Sequence, residues 1–495
     1  MPGQRALFGV PSERLWYAWF MYVGALSLLL ALSLTAAAED DAPEWGGFRG
    51  NNGTGVAASS IPDALDPEGN LMWRIEVPAG YSSPTIAGDR LFITGAEGTS
   101  LLTICMDRFD GTEIWRQEVG FDGKRPGANS PAAPSPATDG VGVYSVFHSF
   151  GIVAYDLEGN KLWENETGPF NIPHGMSTSP VVHGEMVMLQ VDQDRSAYLV
   201  AYDRRTGKER WKVERPGVTH SYATPTVYAP EGKPAQLIVS GSFQIASYAV
   251  ETGEKLWWVD GSAWQTKSVP VIHGDRCYIN AFMQAPSAIG LPKFAGSFED
   301  ILAERDENGD GLINRNEWEH EFLQMAWFIF DLDDDNAFGA EDWEYAVACG
   351  RATGGLFAID LGGEGDVGTS HVDWKFTDRR SLPDIPSPVF CNDTIFLIAE
   401  GGIFTSIDPE SGEEIKQGRV AEPESYFASP VSAGGRIVLA SKSGQLSVIR
   451  ADAEWELLST HRIDEEVWST PAIAGGQVFI RSQQALYCFE GRSED

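Results

Sequence analysis

Val200-Ala-Tyr-Asp-Arg-Arg-Thr-Gly-Lys-Glu-Arg-Trp-Lys212 and, one period later, Ala246-Ser-Tyr-Ala-Val-Glu-Thr-Gly-Glu-Lys-Leu-Trp257 are the stretches that decide the fold. Each reads as a β-strand, a tight turn with glycine near its tip, and a second strand that carries a tryptophan. The same hairpin stands at Asp110-Gly111 with Trp115 and at Glu158-Gly159 with Trp163, and its turn returns at Ser411-Gly412. Working backwards, each unit opens on a residue followed by proline: Ser83-Pro84, Ser135-Pro136, Ser179-Pro180, Thr224-Pro225, Val269-Pro270, Ser387-Pro388, Ser429-Pro430 and Thr470-Pro471.

Eight openings define eight units, and only the step from Pro270 to Pro388 is far longer than the rest. Four short strands in a period of about 40–45 residues is the pattern of a β-propeller blade, which cannot bury both faces until it stacks between two neighbours. The recurring Trp is expected to wedge between blades. Trp73, in a strand with no blade ahead of it, is expected to complete the last blade, which itself ends near Phe489 without a Trp. With 53 Gly, 28 Pro and 16 Trp, and 22% charged residues, the composition agrees. The fold class is therefore all-β, an eight-bladed β-propeller with a small α-helical insertion in blade 5.

That insertion contains Asp306-Glu-Asn308-Gly-Asp310-Gly311-Leu312-Ile313-Asn314-Arg-Asn-Glu317, which matches a twelve-residue EF-hand loop. Asp306, Asn308 and Asp310 offer side-chain oxygens, Gly311 allows the sharp turn, Leu312 offers its carbonyl, Asn314 the ninth position and Glu317 a bidentate carboxylate. A second loop runs through Asp331, Asp333, Asp335, Ala337 and Asp342, with Asn336 where glycine is expected and Asp342 in place of Glu. Asn tolerates the left-handed turn, while the shorter Asp342 is expected to weaken binding. Between the loops, Trp318, Phe322, Met325 and Ile329 are spaced as the apolar stripe of a shared helix. Calcium is the expected ion: 297–348 carries sixteen acidic residues against Arg305 and Arg315, and such a charge density needs a cation to pack.

The repeats resemble the PQQ-binding-like β-propeller repeat, and Trp45-Gly-Gly-Phe-Arg-Gly-Asn-Asn-Gly-Thr-Gly55 resembles the opening segment of exported members. The resemblance implies a fold, not an activity, because the repeat serves both quinoprotein dehydrogenases and the propeller scaffold of the outer-membrane β-barrel assembly machinery. For quinone chemistry it implies adjacent cysteines and a calcium-holding Glu/Asn/Asp cluster; no two cysteines are adjacent here. An exported calcium-binding scaffold with an envelope protein partner is therefore expected, and neither enzymatic activity nor pyrroloquinoline quinone is. The alternative is a quinone-dependent alcohol or sugar dehydrogenase.

The residue three before each proline should face the central channel: Tyr81, Ala133, Ser177, Tyr222, Lys267, Ile385, Phe427 and Trp468. Tyr81, Tyr222, Lys267, Phe427 and Trp468 are the candidates for a ligand site at the channel mouth, the aromatic wall serving either to stack a ligand or to pack the channel shut. Asp192, Asp194, Arg215 and His220 are polar residues near the same mouths, and the histidines are expected at the surface. Cys277 and Cys349 flank the insertion and could approach across its base; the five cysteines otherwise read as buried hydrophobes. The net charge of −35 excludes nucleic acid and anionic lipid surfaces as partners.

At the N-terminus, Arg5 and Arg14 precede the uncharged run 15–35, then Ala36-Ala37-Ala38 and an acidic start near Glu39. Residues 1–38 thus read as an export signal, or as an uncleaved anchor through 15–35, which would be the only membrane contact. Either reading places the chain in the periplasm or outside the cell. The expected organisation is 1–38 signal, 39–70 leading segment and 71–495 propeller, with the EF-hand pair at 297–348.

Overall fold

A computed structural model of the chain describes residues 43–121, 123, 127–282 and 293–491. The expected signal or anchor over 1–38, and the side chain of Phe322, lie outside the described residues. Blade 1 spans 85–120, blade 2 137–165, blade 3 181–214, blade 4 226–260, blade 5 271–376, blade 6 389–419 and blade 7 431–462, each built as a four-stranded antiparallel meander. Blade 8 takes three strands from 472–490 and its fourth from Leu71–Glu76, paired antiparallel with Ala485–Glu490. The N-terminal strand thus closes the ring, which leaves no unpartnered blade face.

In all eight outer strands the register slips by one residue at the same place. The bulged residues are Met72, Ile114, Leu162, Arg210, Leu256, Asp373, Ile415 and Leu458. A bulge re-aims the side chain that follows it, and that residue is Trp73, Trp115, Trp163, Trp211, Trp257 and Trp374 in six blades. Trp115 donates to Leu157 O at 2.8 Å, Trp163 to Arg204 O at 2.8 Å and Trp211 to Val250 O at 2.8 Å, each in the next blade. Trp374 and Trp73 do the same to Pro409 and Arg108. The hairpin glycine of the next blade lies on the ring: Gly207 has φ +67°, and a Cβ there would fall 2.6 Å from Trp163. Tryptophan and glycine recur together because they are two halves of one joint.

The serine or threonine of each opening makes a second joint. The amide of Ser83 donates to the Ser135 hydroxyl at 2.8 Å, Ser135 to Ser179 at 3.0 Å and Ser179 to Thr224 at 3.0 Å. The chain of bonds resumes from Val269 to Ser387 at 2.9 Å, then Ser387 to Ser429, Ser429 to Thr470, and Thr470 back to Ser83 at 2.9 Å. The missing link is the one from blade 4 to blade 5, where Val269 offers no hydroxyl.

Residues 45–57 form a strap across the channel. Trp45 bridges Ile86 of blade 1, Gly46 accepts from Thr138 of blade 2, and the Asn52 side chain pairs with both backbone groups of Val227 in blade 4. Arg49, fully buried, donates to Pro388 O at 2.6 Å, and Val56–Ala57 adds a parallel strand to blade 7. Gly53 has φ +68° and lies against Val269 so closely that a Cβ would come within 2.7 Å of it.

The insertion leaves blade 5 after Ala281 and returns at Gly355. It holds helices α1 (Phe298–Arg305), α2 (Glu321–Phe330) and α3 (Ala340–Arg351), and its two acidic loops pair through Ile313–Asn314 and Ala337–Phe338. Ser297 caps α1 in a reciprocal capping box with Asp300. The buried face of α2 is Leu323, Ala326, Trp327 and Phe330, whereas Met325 is 65% exposed. Of the stripe expected through Trp318, Met325 and Ile329, Trp318 is buried and Ile329 packs against the core, while Met325 faces out: α2 begins only after its cap at His320, so Trp318 packs from the preceding turn and the buried face is centred one residue further on. The insertion's core is continuous with the ring, since Trp264 and Phe243, on the blade 4 side, pack into the same cluster. Trp264 stacks on Phe330 at 6.2 Å.

All five cysteines are buried thiols. Cys277 and Cys349 do not approach each other: the first packs in the core between blades 4 and 5, the second in that of the insertion. Burial pushes the Cys391 thiol up to about 11.

Candidate functional site

The residue three before each proline lies in the segment that leads into the inner strand of its blade, and the strap holds the strand end. All eight of those residues, from Tyr81 to Trp468, line one cavity of about 230 Å³, whose lining also includes Phe48 of the strap. The channel is thus a cup. Trp468 stacks on Tyr81, ring centres 4.8 Å apart, and Phe427 lies tilted against it at 4.3 Å, while Lys442 Nζ lies 4.7 Å from the same ring. These contacts join blades 7, 8 and 1, and the same three rings line the cavity. Opposite it stand Lys267, which pairs with Asp384 at 3.0 Å, and Tyr222, whose backbone accepts from the Ser177 hydroxyl.

Two lining residues without a repeat signature, Asn129 and His174, were not legible as site residues. The Asn129 amide is tied to His174 O, and its side chain donates to Gly175 O at 2.8 Å. Burial, then the nearby His220 and Lys267, hold His174 below the ordinary imidazole value. No aspartate or glutamate lines the cup among the described residues. Those lining residues offer no carboxylate that would hold a calcium ion beside a quinone.

Asp192, Asp194, Arg215 and His220 do not reach the cup. They form a buried network between blades 3 and 4: Asp192 accepts from Arg215 at 2.8 Å, Ser221 at 2.6 Å and Gln190 at 2.7 Å. Burial raises the Asp192 carboxyl, against the pull of Arg215. His220 meets Asp194 through Nδ1 at 2.6 Å and the Gln265 side-chain amide through Nε2 at 2.7 Å. The surface position expected for the histidines is wrong for His220, which is fully buried, because a carboxylate and an amide satisfy both ring nitrogens. Tyr345 of α3 packs on this network, 6.4 Å from the His220 ring.

The two acidic loops of the insertion are built alike. Asp306 accepts the amides of Gly309, Asp310 and Gly311, and Asp331 those of Asp335 and Asn336. Asn308 accepts from the Asp310 amide, and Asp310 from that of Leu312 and from the side chain of Asn314. Glu317 takes the Glu307 and Asn314 amides at 3.0 and 2.7 Å; the shorter Asp342 takes the equivalent Leu332 and Gly339 amides at 2.9 and 2.8 Å. Asn336 has φ +68°, matching the left-handed Gly311. Asp331, Asp333 and Asp335 bring one carboxylate oxygen each within 4.8 Å of the other two, and the Ala337 amide donates to Asp335. Burial, with the neighbouring Asp333 and Asp331 charges added, pushes the Asp342 carboxyl up to about 6 against the amides it accepts. Asp333 also pairs with Arg195 of blade 3. Oxygen donors at this spacing, with Arg195 the cation paired to them, suit a hard divalent cation.

An eight-bladed propeller closed by its own N-terminal strand, strapped across one end and carrying a helical module at one joint, defines a repeat scaffold. The chain belongs to the family described as outer membrane protein assembly factor BamB, which matches residues 57–283 and 347–494 and leaves out the stretch that holds the acidic loops. No curated protein is similar to it in sequence. Among solved structures it is similar to BamB from Moraxella catarrhalis (10% identity, TM-score 0.52, covering 86% of this chain and 99% of that one). It is also similar to a europium-containing methanol dehydrogenase (9%, 0.57, 90% and 98%) and to the quinohemoprotein alcohol dehydrogenase of Comamonas testosteroni (12%, 0.56, 92% and 82%). At these identities the likeness is one of fold. No helix among the described residues is long and apolar enough to cross a membrane.

Proposed function

We propose that this protein is an exported propeller that works as a protein-binding scaffold in the cell envelope, and that its insertion is an EF-hand pair that binds calcium. Membership of a family described as an assembly factor carries the scaffold reading. Three converging carboxylates and the strained charge of Asp342 support calcium, with Asp306, Asn308, Asp310, Leu312, Asn314 and Glu317 holding one ion and Asp331, Asp333, Asp335, Ala337 and Asp342 the other.

The test is calorimetric titration of the full chain with calcium, because an isolated insertion would expose the core it shares with Trp264. Saturable binding is expected, and Glu317→Gln should remove the first site. Absence of calcium-dependent heat overturns the calcium reading. The second reading, a quinone-dependent dehydrogenase, is favoured only by the fold it shares with such enzymes. Uptake of pyrroloquinoline quinone in an absorbance scan, with reduction of an artificial electron acceptor by an alcohol, would establish it in place of the scaffold.

A further inference from the structure

The chain carries 71 acidic residues against 36 basic ones, yet among the described residues the cup at its centre has no acidic residue in its lining, and Lys267 is the one lysine or arginine there. A cavity from which carboxylates are missing, in a protein that is acidic nearly everywhere else, selects against cations and admits an anion. We propose that the cup binds a small carboxylate with a single ring, its anionic end held by Lys267 and Tyr222 and its ring set against the wall of Tyr81, Phe427 and Trp468.

Three observations carry the assignment. Tyr222 is buried and lines the cup, and its hydroxyl oxygen lies beside the His174 backbone while its hydrogen has no acceptor. Burial pushes that phenol well above its ordinary value, so it stays protonated and has a hydrogen to give. An unmet donor of this kind inside a cavity costs free energy until an acceptor arrives. Secondly, the Lys267 ammonium has three hydrogens, and its ion pair with Asp384 at 3.0 Å engages one oxygen of a carboxylate that is itself 45% exposed. Hydrogens remain for a ligand. Thirdly, the cavity of about 230 Å³ lies below the roughly 300–1,000 Å³ of sites for drug-sized ligands, which limits the ligand to about one ring. The hydroxyls of the ring of openings accept amides between blades, and Lys267 and Tyr222 supply the charged and the unmet donor.

This inference does not rest on calcium binding or on a protein partner. It is tested on the full chain by calorimetric titration with D-glucuronate and benzoate, each beside its uncharged counterpart, D-glucose and benzyl alcohol. At least one carboxylate should bind saturably and its counterpart about tenfold more weakly or not at all. Lys267→Met should weaken that binding about tenfold, and Tyr222→Phe should weaken it without lowering the thermal midpoint, which keeps the test open if the lysine variant folds poorly. Equal binding of charged and uncharged partners, unchanged affinity in Tyr222→Phe and Lys267→Met, or no saturable binding by either carboxylate would each overturn the proposal.

Discussion

The joint between blades 2 and 3 and the joint between blades 4 and 5 hold the same kinds of sheet together by different chemistry. In the first, Ser135 donates to the Ser179 hydroxyl, Trp163 donates to Arg204 O, and Gly207 lies on the Trp163 ring. In the second, Val269 stands where the hydroxyl would be, and Trp257 bonds within its own blade to Gln236. Thr226 instead reaches Pro270 O at 2.7 Å, and Gly365–Asp366 adds a parallel strand to the outer edge of blade 4. The insertion docks here too: Thr353 donates to Gly261 O at 3.0 Å, and Trp264 enters the insertion's core. The difference teaches that a repeat can surrender its own joint where an inserted module takes over the work, so the insertion is a structural member of the ring.

The largest expected effect follows from that. Trp264→Ala should cost about 3–5 kcal/mol in urea unfolding, because the ring is buried and touches both bodies. A cost no greater than that of an exposed substitution would show that the insertion is independent of the blades. A middle-sized effect separates the two joints. Ser135→Ala should lose about 1 kcal/mol, while Val269→Thr, which restores the missing acceptor, should gain up to about 1 kcal/mol. If Val269→Thr destabilises as much as Ser135→Ala, the hydroxyl link is not what distinguishes the joints.

The smallest effect concerns pH. The hairpin aspartates of the ordinary joints accept turn amides: Asp203 is held down to about 2, first by the Thr206 hydroxyl and then by Arg210, and Asp408 is lowered chiefly by the Ser411 amide. Their folded values lie below the unfolded one, so their contribution is present above about pH 4 and is lost as pH falls towards 2. The thermal midpoint should drop over that window, and Asp203→Asn should make the drop slightly shallower; solvent exposure keeps the change small.

Much of the ring was legible because a period and a proline signature report on local geometry that every blade repeats. The eight residues ahead of the prolines line one cup because each lies at the same place on the way into its inner strand. The role of the hydroxyls in Ser135 and Thr470 was not legible, since a Ser-Pro or Thr-Pro pair reads as a turn until its neighbour at the opening of the adjacent blade is known. Trp264 carried no signal: it lies in a link between blades, outside the repeated hairpin, and its partners Phe330 and Tyr345 lie far along the chain. The phase of α2 was misjudged because Trp318 sits at helical spacing from Met325 yet belongs to the turn before the helix. Asn129 and His174 reach the cup from irregular loops, where spacing says nothing about direction.

Amide hydrogen exchange on the full chain, with and without calcium, addresses the central claim that the insertion is a cation-ordered part of the blade 4–5 joint. Calcium should slow exchange across 298–351 and in the joint around Trp264 and Thr353, leaving blades 1, 7 and 8 as they were. No change in the insertion, or an equal change in every blade, would contradict it.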